Sequence, residues 1–198
     1  FLNHRSSKLC EICVSVNQEV VHGIPDKHRI IHEGDIVSLD AGLIYKGYHS
    51  DAARTYAVGE VSEEAKKLIQ VTKECFFEGI KYAKAGNHLF DISGAIGRYA
   101  EERGYGVVRD LCGHGIGTAL HEAPEIPNYE VGRKGVKLRP GMTLAIEPMI
   151  NIGTYEVDWL DDDWTVVTRD GSLSAHYENT ILITEGEPRI LSLTCDNE

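Results

Sequence analysis

Five side chains in this sequence, Asp40, Asp51, His114, Glu147 and Glu178, are of types that bind divalent cations and stand where such residues need a reason. Asp is depleted from strand interiors, yet Asp40 sits among Ile36, Val37, Leu39 and Leu43. Asp51 lies an odd number of positions later, so the two share a face only if the turn between them holds an even number of residues or a bulge absorbs one. In that register their carboxylates stand about 5 Å apart and repel unless something positive lies between them. Otherwise one faces solvent and the other caps a turn.

Glu147 lies in the apolar run Thr143-Leu144-Ala145-Ile146-Glu147-Pro148-Met149-Ile150, where an unpaired carboxylate is expensive. Glu178 directly precedes a β-branched run, and for either acid a structural salt bridge is the plainer reading. The segment Gly113-His114-Gly115-Ile116-Gly117-Thr118-Ala119-Leu120-His121-Glu122 is more specific. Its glycines let backbones approach closely and hold the His114 imidazole in a tight turn, with a second histidine, His121, nearby. Four acids and one imidazole form a hard, oxygen-rich donor set, suited to Mn, Fe(II), Co or a Zn pair rather than to a structural zinc.

The elements that would position these residues can be read from periodicity. Cys13-Val14-Ser15-Val16-Asn17 alternates like a strand and runs into a turn at His22-Gly23-Ile24-Pro25. Residues 36–44 and 48–58 read as two strands joined as a hairpin by Tyr45-Lys46-Gly47. Ser62, followed by Glu63 and Glu64, starts a helix whose apolar positions recur through Leu68, Cys75, Phe76 and Ile80, with a stop at Gly86. Asp91 caps a second helix carrying Ile92, Ile96 and Tyr99 and ending near Gly104. Strands then follow at 107–108, 144–150, 164–168 and 173–184, the last two joined as a hairpin by Arg169-Asp170-Gly171-Ser172. The order predicts an α+β fold, a curved antiparallel sheet with helices covering one face.

Composition sets the boundaries. A net charge of -11 over 198 residues argues against a nucleic-acid surface, and no run approaches a membrane span or a signal peptide. Cys10, Cys13, Cys75, Cys112 and Cys195 are an odd set without disulfide density, consistent with reduced thiols in the cytoplasm. Cys10 and Cys13 form a lone C-x-x-C, which is weak evidence for zinc. One catalytic domain over 1–198 is expected. The run Asp161-Asp162-Asp163 reads as a solvated turn outside any site.

Four ordered segments carry a family resemblance: Ser15-Val16-Asn17-Gln18-Glu19-Val20-Val21-His22-Gly23-Ile24-Pro25, Gly113-His114-Gly115-Ile116-Gly117, Ile146-Glu147-Pro148-Met149 and Leu173-Ser174-Ala175-His176-Tyr177-Glu178-Asn179-Thr180. From about Cys13 to the C-terminus the chain resembles type I methionine aminopeptidases, metallopeptidases of the pita-bread fold. The resemblance implies two divalent ions, one held by His114 and Glu147 and the other by Asp40, with Asp51 and Glu178 bridging. It implies His22 and His121 as contacts to substrate around the scissile amide, and Trp164 and Cys13 as lining of the methionine pocket. Leu120 stands where a bulkier aromatic is common. The expected partner is the amino terminus of a peptide or nascent protein, with the ribosome as a candidate associate and the chain itself a monomer.

Two departures are visible. The family begins with further residues that add a helical layer, whose absence would leave an apolar face of the sheet uncovered. Residues 1–10 also lack the Tyr/Gly/Pro-rich segment that completes the methionine pocket. The expected chemistry is metal-assisted hydrolysis with Glu147 as proton shuttle, His121 as donor to the carbonyl oxygen and His22 steadying the next peptide unit. The rival readings are a proline-directed relative (aminopeptidase P or prolidase type), a Cys112 nucleophile, and a non-catalytic peptide-binding module of the same fold.

Overall fold

The computed structural model describes residues 12–193. Within them the chain forms β1 (Ile12–Val16), β2 (Glu19–Val21), β3 (Ile36–Tyr45), β4 (Tyr48–Ala57), α1 (Glu63–Ile80), α2 (Leu89–Glu101), β5 (Gly106–Val107), β6 (Gly113–Gly115) and β7 (Glu122–Ile126). It continues through β8 (Thr143–Ile146), β9 (Met149–Asn151), β10 (Val157–Trp159), β11 (Val166–Thr168), β12 (Ser174–His176), β13 (Glu178–Leu182) and β14 (Arg189–Ile190). The main sheet runs β1-β3-β4-β13-β8-β6-β7, with β14 added to β13, and every pairing in it is antiparallel. Two three-stranded sheets, β10-β11-β2 and β12-β9-β5, complete the strand set.

The predicted hairpin forms as β3 and β4, paired from Ile36↔Ala57 to Tyr45↔Tyr48. Its loop is Lys46-Gly47 alone, at φ +51° and +82°, the left-handed pair that a two-residue hairpin turn requires. Two is an even number, so the parity condition on Asp40 and Asp51 is met without a bulge. Large apolar side chains are exposed at this end of the hairpin: Leu43, Ile44, Tyr45 and Tyr48.

Both helices are where periodicity placed them, but their ends differ. Ser62 caps α1, its hydroxyl accepting from the Ala65 N–H at 3.1 Å. The helix stops at Ile80, short of Gly86, whose own N–H donates to the Leu138 carbonyl. For α2 the cap position is His88; Asp91 stands inside the first turn and accepts from the His88 N–H at 2.8 Å. An acid three residues in does the same satisfying of donors as a cap, so residue type alone did not separate the two positions.

Three strand expectations fail for one reason: the chain changes sheets. Residues 144–150 divide into β8 and β9 at Glu147-Pro148, since Pro148 has no N–H for a continuing ladder. Residues 173–184 divide at Tyr177, whose N–H donates to the Pro148 carbonyl. Glu147 and Glu178 therefore flank two adjacent crossings between the main sheet and the sheet of β9 and β12. The turn 169–172 makes no hairpin either, because β11 pairs with β10 and β2 while β12 pairs with β9. Asp170 ties that turn sideways to the Thr154 N–H at 2.7 Å.

The main core lies between the helices and one sheet face, where Leu68, Phe76, Ile92 and Ile96 meet Leu144, Ile146, Ile150 and Ile181. A smaller cluster of Val20, Val21, Val108, Met149, Val157 and Val166 lies beneath the β10-β11-β2 sheet. No helix among the described residues is long and apolar enough to cross a membrane.

Candidate metal centre

Register alone carries the five candidate ligands to one face. Asp40 pairs with Ala53 and Asp51 with Gly42, so the two acids are diagonal neighbours on the same side of the hairpin rather than directly opposed. Ala53 pairs across the next strand boundary with Glu178. Thr180, two residues on and hence on the same side, pairs with Ala145, and Ala145 pairs with His114. Glu147 follows Ala145 by two and projects the same way. Leu144, Ile146 and Ile181 alternate with these residues and point into the helical core.

His114 is held in strand β6, not in the tight turn its glycines suggested. Those glycines serve close approach: a Cβ at Gly113 would lie 2.4 Å from the Ala145 carbonyl oxygen, and one at Gly115 would lie 2.3 Å from that of Ala123. Thr180 replaces a ladder rung with its hydroxyl, which accepts from the Asp51 N–H at 2.9 Å and donates to the Asp51 carbonyl at 3.0 Å. Asp51 is thereby fixed from both sides of its peptide.

The five side chains line a cavity of about 140 Å³ together with Val21, His22, Leu111, Cys112, His121, Met149 and Trp164. Within it Asp51, His114 and Glu178 are the tightest group, each offering a ligand atom within 4.8 Å of the others. Asp40 and Glu147 line the same wall outside that trio.

The electrostatics call for a cation. Burial, then the neighbouring Asp51, pushes the Asp40 carboxyl up to about 8. Asp51 is also raised by burial, with His114 pulling it back. Glu147 and Glu178 are held well above the usual carboxylate range, by burial first and by the other acids next. Glu178 Oε1 is buried without a hydrogen-bond partner among the described residues. Burial keeps His114 neutral, and its Nδ1 lies 2.9 Å from the Gly115 carbonyl, which can only accept. The ring proton is thus on Nδ1, and Nε2 turns a lone pair toward Glu147 Oε1 at 3.5 Å. A neutral imidazole lone pair facing carboxylates, with an orphaned carboxylate oxygen beside it, fits a divalent cation and is unfavourable without positive charge.

A second group rims the cavity. His22 adopts φ +63° and stacks on Trp164, ring centroids 4.6 Å apart and 17° from parallel. His121 meets His114 edge-on at 4.3 Å. Burial above all pulls both His22 and His121 down to about 4, leaving neutral rings that donate or accept without charge. Leu120 reaches over Gly42 beside Asp51, and Cys13 is the cross-strand partner of Asp40, but neither is among the residues that line the cavity. The acidic run is more than a solvated turn, because the Asp162 carboxylate accepts from the N–H groups of Trp164 and Thr165 and so sets the loop that carries the indole.

Sequence reasoning did not single out His176, Thr180, Val21, Leu111 or Met149 as site residues. His176 sat inside a quoted motif without a role, and the others are apolar or hydroxyl residues whose pattern is that of any strand. Cys112 does line the cavity, but burial and then Glu125 raise its thiol, so it is not the thiolate a nucleophile needs. Cys10, the other half of the C-x-x-C, lies outside the described residues, while Cys13 is buried in β1.

A sequence profile of metallopeptidase family M24 matches residues 5–185. A methionine aminopeptidase of Clostridium acetobutylicum is 61% identical over 182 residues, covering 92% of this chain and 73% of the relative. The crystal structure of the Thermotoga maritima methionine aminopeptidase superposes with a TM-score of 0.90 at 52% identity, over 92% of this chain and 74% of that one. A prolidase from Pyrococcus furiosus has the same fold at a TM-score of 0.72 and 28% identity, with 93% of this chain matched to 49% of that one.

Proposed function

The chain belongs to metallopeptidase family M24, among the methionine aminopeptidases, and from that premise we propose that it removes the amino-terminal methionine of peptides and proteins through a centre of two divalent ions. The observation that carries the reading is the convergence of four carboxylates and one neutral imidazole on a single sheet face, with two further neutral histidines at the cavity rim. Asp40, Asp51, His114, Glu147 and Glu178 would hold the ions. Once bound, the ions supply Lewis acidity, both to acidify the attacking water and to polarise the scissile carbonyl.

The remaining work falls to side chains. A Glu147 carboxylate oxygen takes the proton from the water and returns it to the leaving amine. His121, kept neutral, donates a hydrogen bond to the carbonyl oxygen as negative charge develops there. His22 steadies the following peptide unit, its ring plane set by the stack on Trp164. Val21, Met149 and Trp164, with Cys13 and Leu120 nearby, give the cavity an apolar wall for the methionine side chain. The reading extends to one catalytic domain over 1–198, acting as a cytoplasmic monomer on nascent amino termini at the ribosome.

Dialysed protein reloaded with Mn²⁺ or Co²⁺ should cleave Met-Ala-Ser and release methionine. Faster cleavage of Xaa-Pro peptides would overturn the choice in favour of the prolidase-like relatives, and metal binding without turnover of either would leave a binding module.

A further inference from the structure

One buried titratable side chain at the centre has no place in that mechanism. His176 ends β12, is 2% exposed, and among the described residues neither of its ring nitrogens has a hydrogen-bond partner. Its Nε2 lies 3.7 Å from Glu147 Oε2, while His114 Nε2 lies 3.5 Å from Glu147 Oε1. One carboxylate thus stands between two imidazoles, one on each oxygen.

The two rings cannot play the same part. A carbonyl at Nδ1 forces the His114 proton onto that nitrogen and leaves Nε2 as a lone pair. No carbonyl of the described residues engages His176 Nδ1, so none of them holds its proton there. Among the described residues Glu147 is the only carboxylate within ion-pair reach of its ring, and a buried N–H left unmade is costly. We propose that His176 is a positioning residue for Glu147, carrying its proton on Nε2 and donating to Oε2, so that Oε1 stays turned toward His114 and the ligand face.

The backbone is built to keep the ring in place. The His176 N–H donates to Thr55 Oγ1 at 2.8 Å, and the same hydroxyl donates to the His176 carbonyl at 2.9 Å. Since that proton is committed, Ser38 Oγ, 2.7 Å from Thr55 Oγ1, must be the donor in their contact. On its other edge His176 pairs with Met149, two residues beyond Glu147. The strand is clamped on both sides, and closing 3.7 Å to hydrogen-bond length needs only a small tilt of either side chain.

The inference rests on the role given to Glu147, and its first test does not depend on activity. In metal-free protein with ¹⁵N-labelled histidines, the ring signals lost on His176→Gln identify His176, and they should report the Nε2–H tautomer; an Nδ1–H tautomer overturns the proposal. His176→Leu removes the donor at similar bulk, whereas His176→Gln keeps a neutral N–H. By calorimetry with Mn²⁺ alone, the Leu variant should bind about 10- to 100-fold more weakly, and kcat should fall by a comparable factor with KM within about twofold. The Gln variant should stay within about fivefold of the parent in both, and both variants should melt near the parent when metal-free. A Leu variant that binds Mn²⁺ like the parent overturns the proposal, as does a Gln variant that falls as far as Leu. If the Leu variant does not fold, the tautomer and the Gln variant decide. An inactive but Mn²⁺-binding parent would remove the peptidase reading and leave the tautomer result standing.

Discussion

The two faces of the main sheet are made by the same strands and obey opposite rules. Toward the helices, Leu144, Ile146 and Ile181 are fully buried in one apolar cluster with Leu68, Phe76, Ile92 and Ile96. On the other side the alternate residues of those strands, His114, Glu147 and Glu178, crowd with Asp40 and Asp51 into a cavity where each acid raises the proton affinity of the next. The first face stabilises the fold through burial. The second is tolerated because the first is strong, and it becomes favourable when cations enter. Stability and chemistry are thus separated by one residue of register.

The sharpest way to separate them is Glu147→Ala. We expect kcat on Met-Ala-Ser to fall at least about 10³-fold while the thermal melt of the metal-free protein holds steady or rises; an active variant removes Glu147 from its role. Phe76→Ala probes the opposite face. It should cost about 3–5 kcal/mol in chemical denaturation while leaving kcat per folded molecule near the parent value. Loss of turnover out of proportion to unfolding would show that the faces are not independent.

A smaller effect distinguishes them by pH. Asp40 titrates near 8 when folded against 3.8 as its ordinary value, so the stability tied to its protonated form is present at low pH and lost as pH rises through about 8. The buried histidines work the other way: His22 and His121 near 4 and His176 near 3 withdraw stability as pH falls below 6.5. Between pH 6.5 and 8 the folded Asp40 still holds a proton that the unfolded chain has already lost. Metal-free protein should lose on the order of 1–2 kcal/mol across that window, and added Mn²⁺ should flatten the slope; stability rising with pH without metal would contradict the crowded-acid picture. The smallest effect is expected at the rim. Trp164→Ala removes the stack under His22 and should raise KM about 3- to 10-fold with little change in melting.

The candidate ligands stood out in the sequence because several of them violate a local rule. An Asp among the apolar residues of a strand, a Glu before a proline in an apolar strand and a His between glycines are all out of place unless a cation repays them. The hairpin was equally plain, since Tyr45-Lys46-Gly47 admits only short loops. The sheet crossings at Glu147-Pro148 and Tyr177 were not, because a run of apolar residues looks the same whether it stays in one sheet or passes into another. His176 escaped for a similar reason: a lone histidine in a strand is ordinary until its neighbours are known.

The sequence by itself determined which residues are chemically anomalous, where the hairpin turns, and which positions alternate between core and opposite face, because those are properties of residue type and period two. Only the tertiary structure decided that the anomalies share one cavity. A pairing register is settled by which strands meet, and five residues from five separate strands or strand ends converge only after β13 and β8 are laid between β4 and β6. The protonated nitrogen of His114, the clamp on Asp51 and the orphaned ring of His176 likewise depend on atoms brought from distant parts of the chain, which no local pattern encodes.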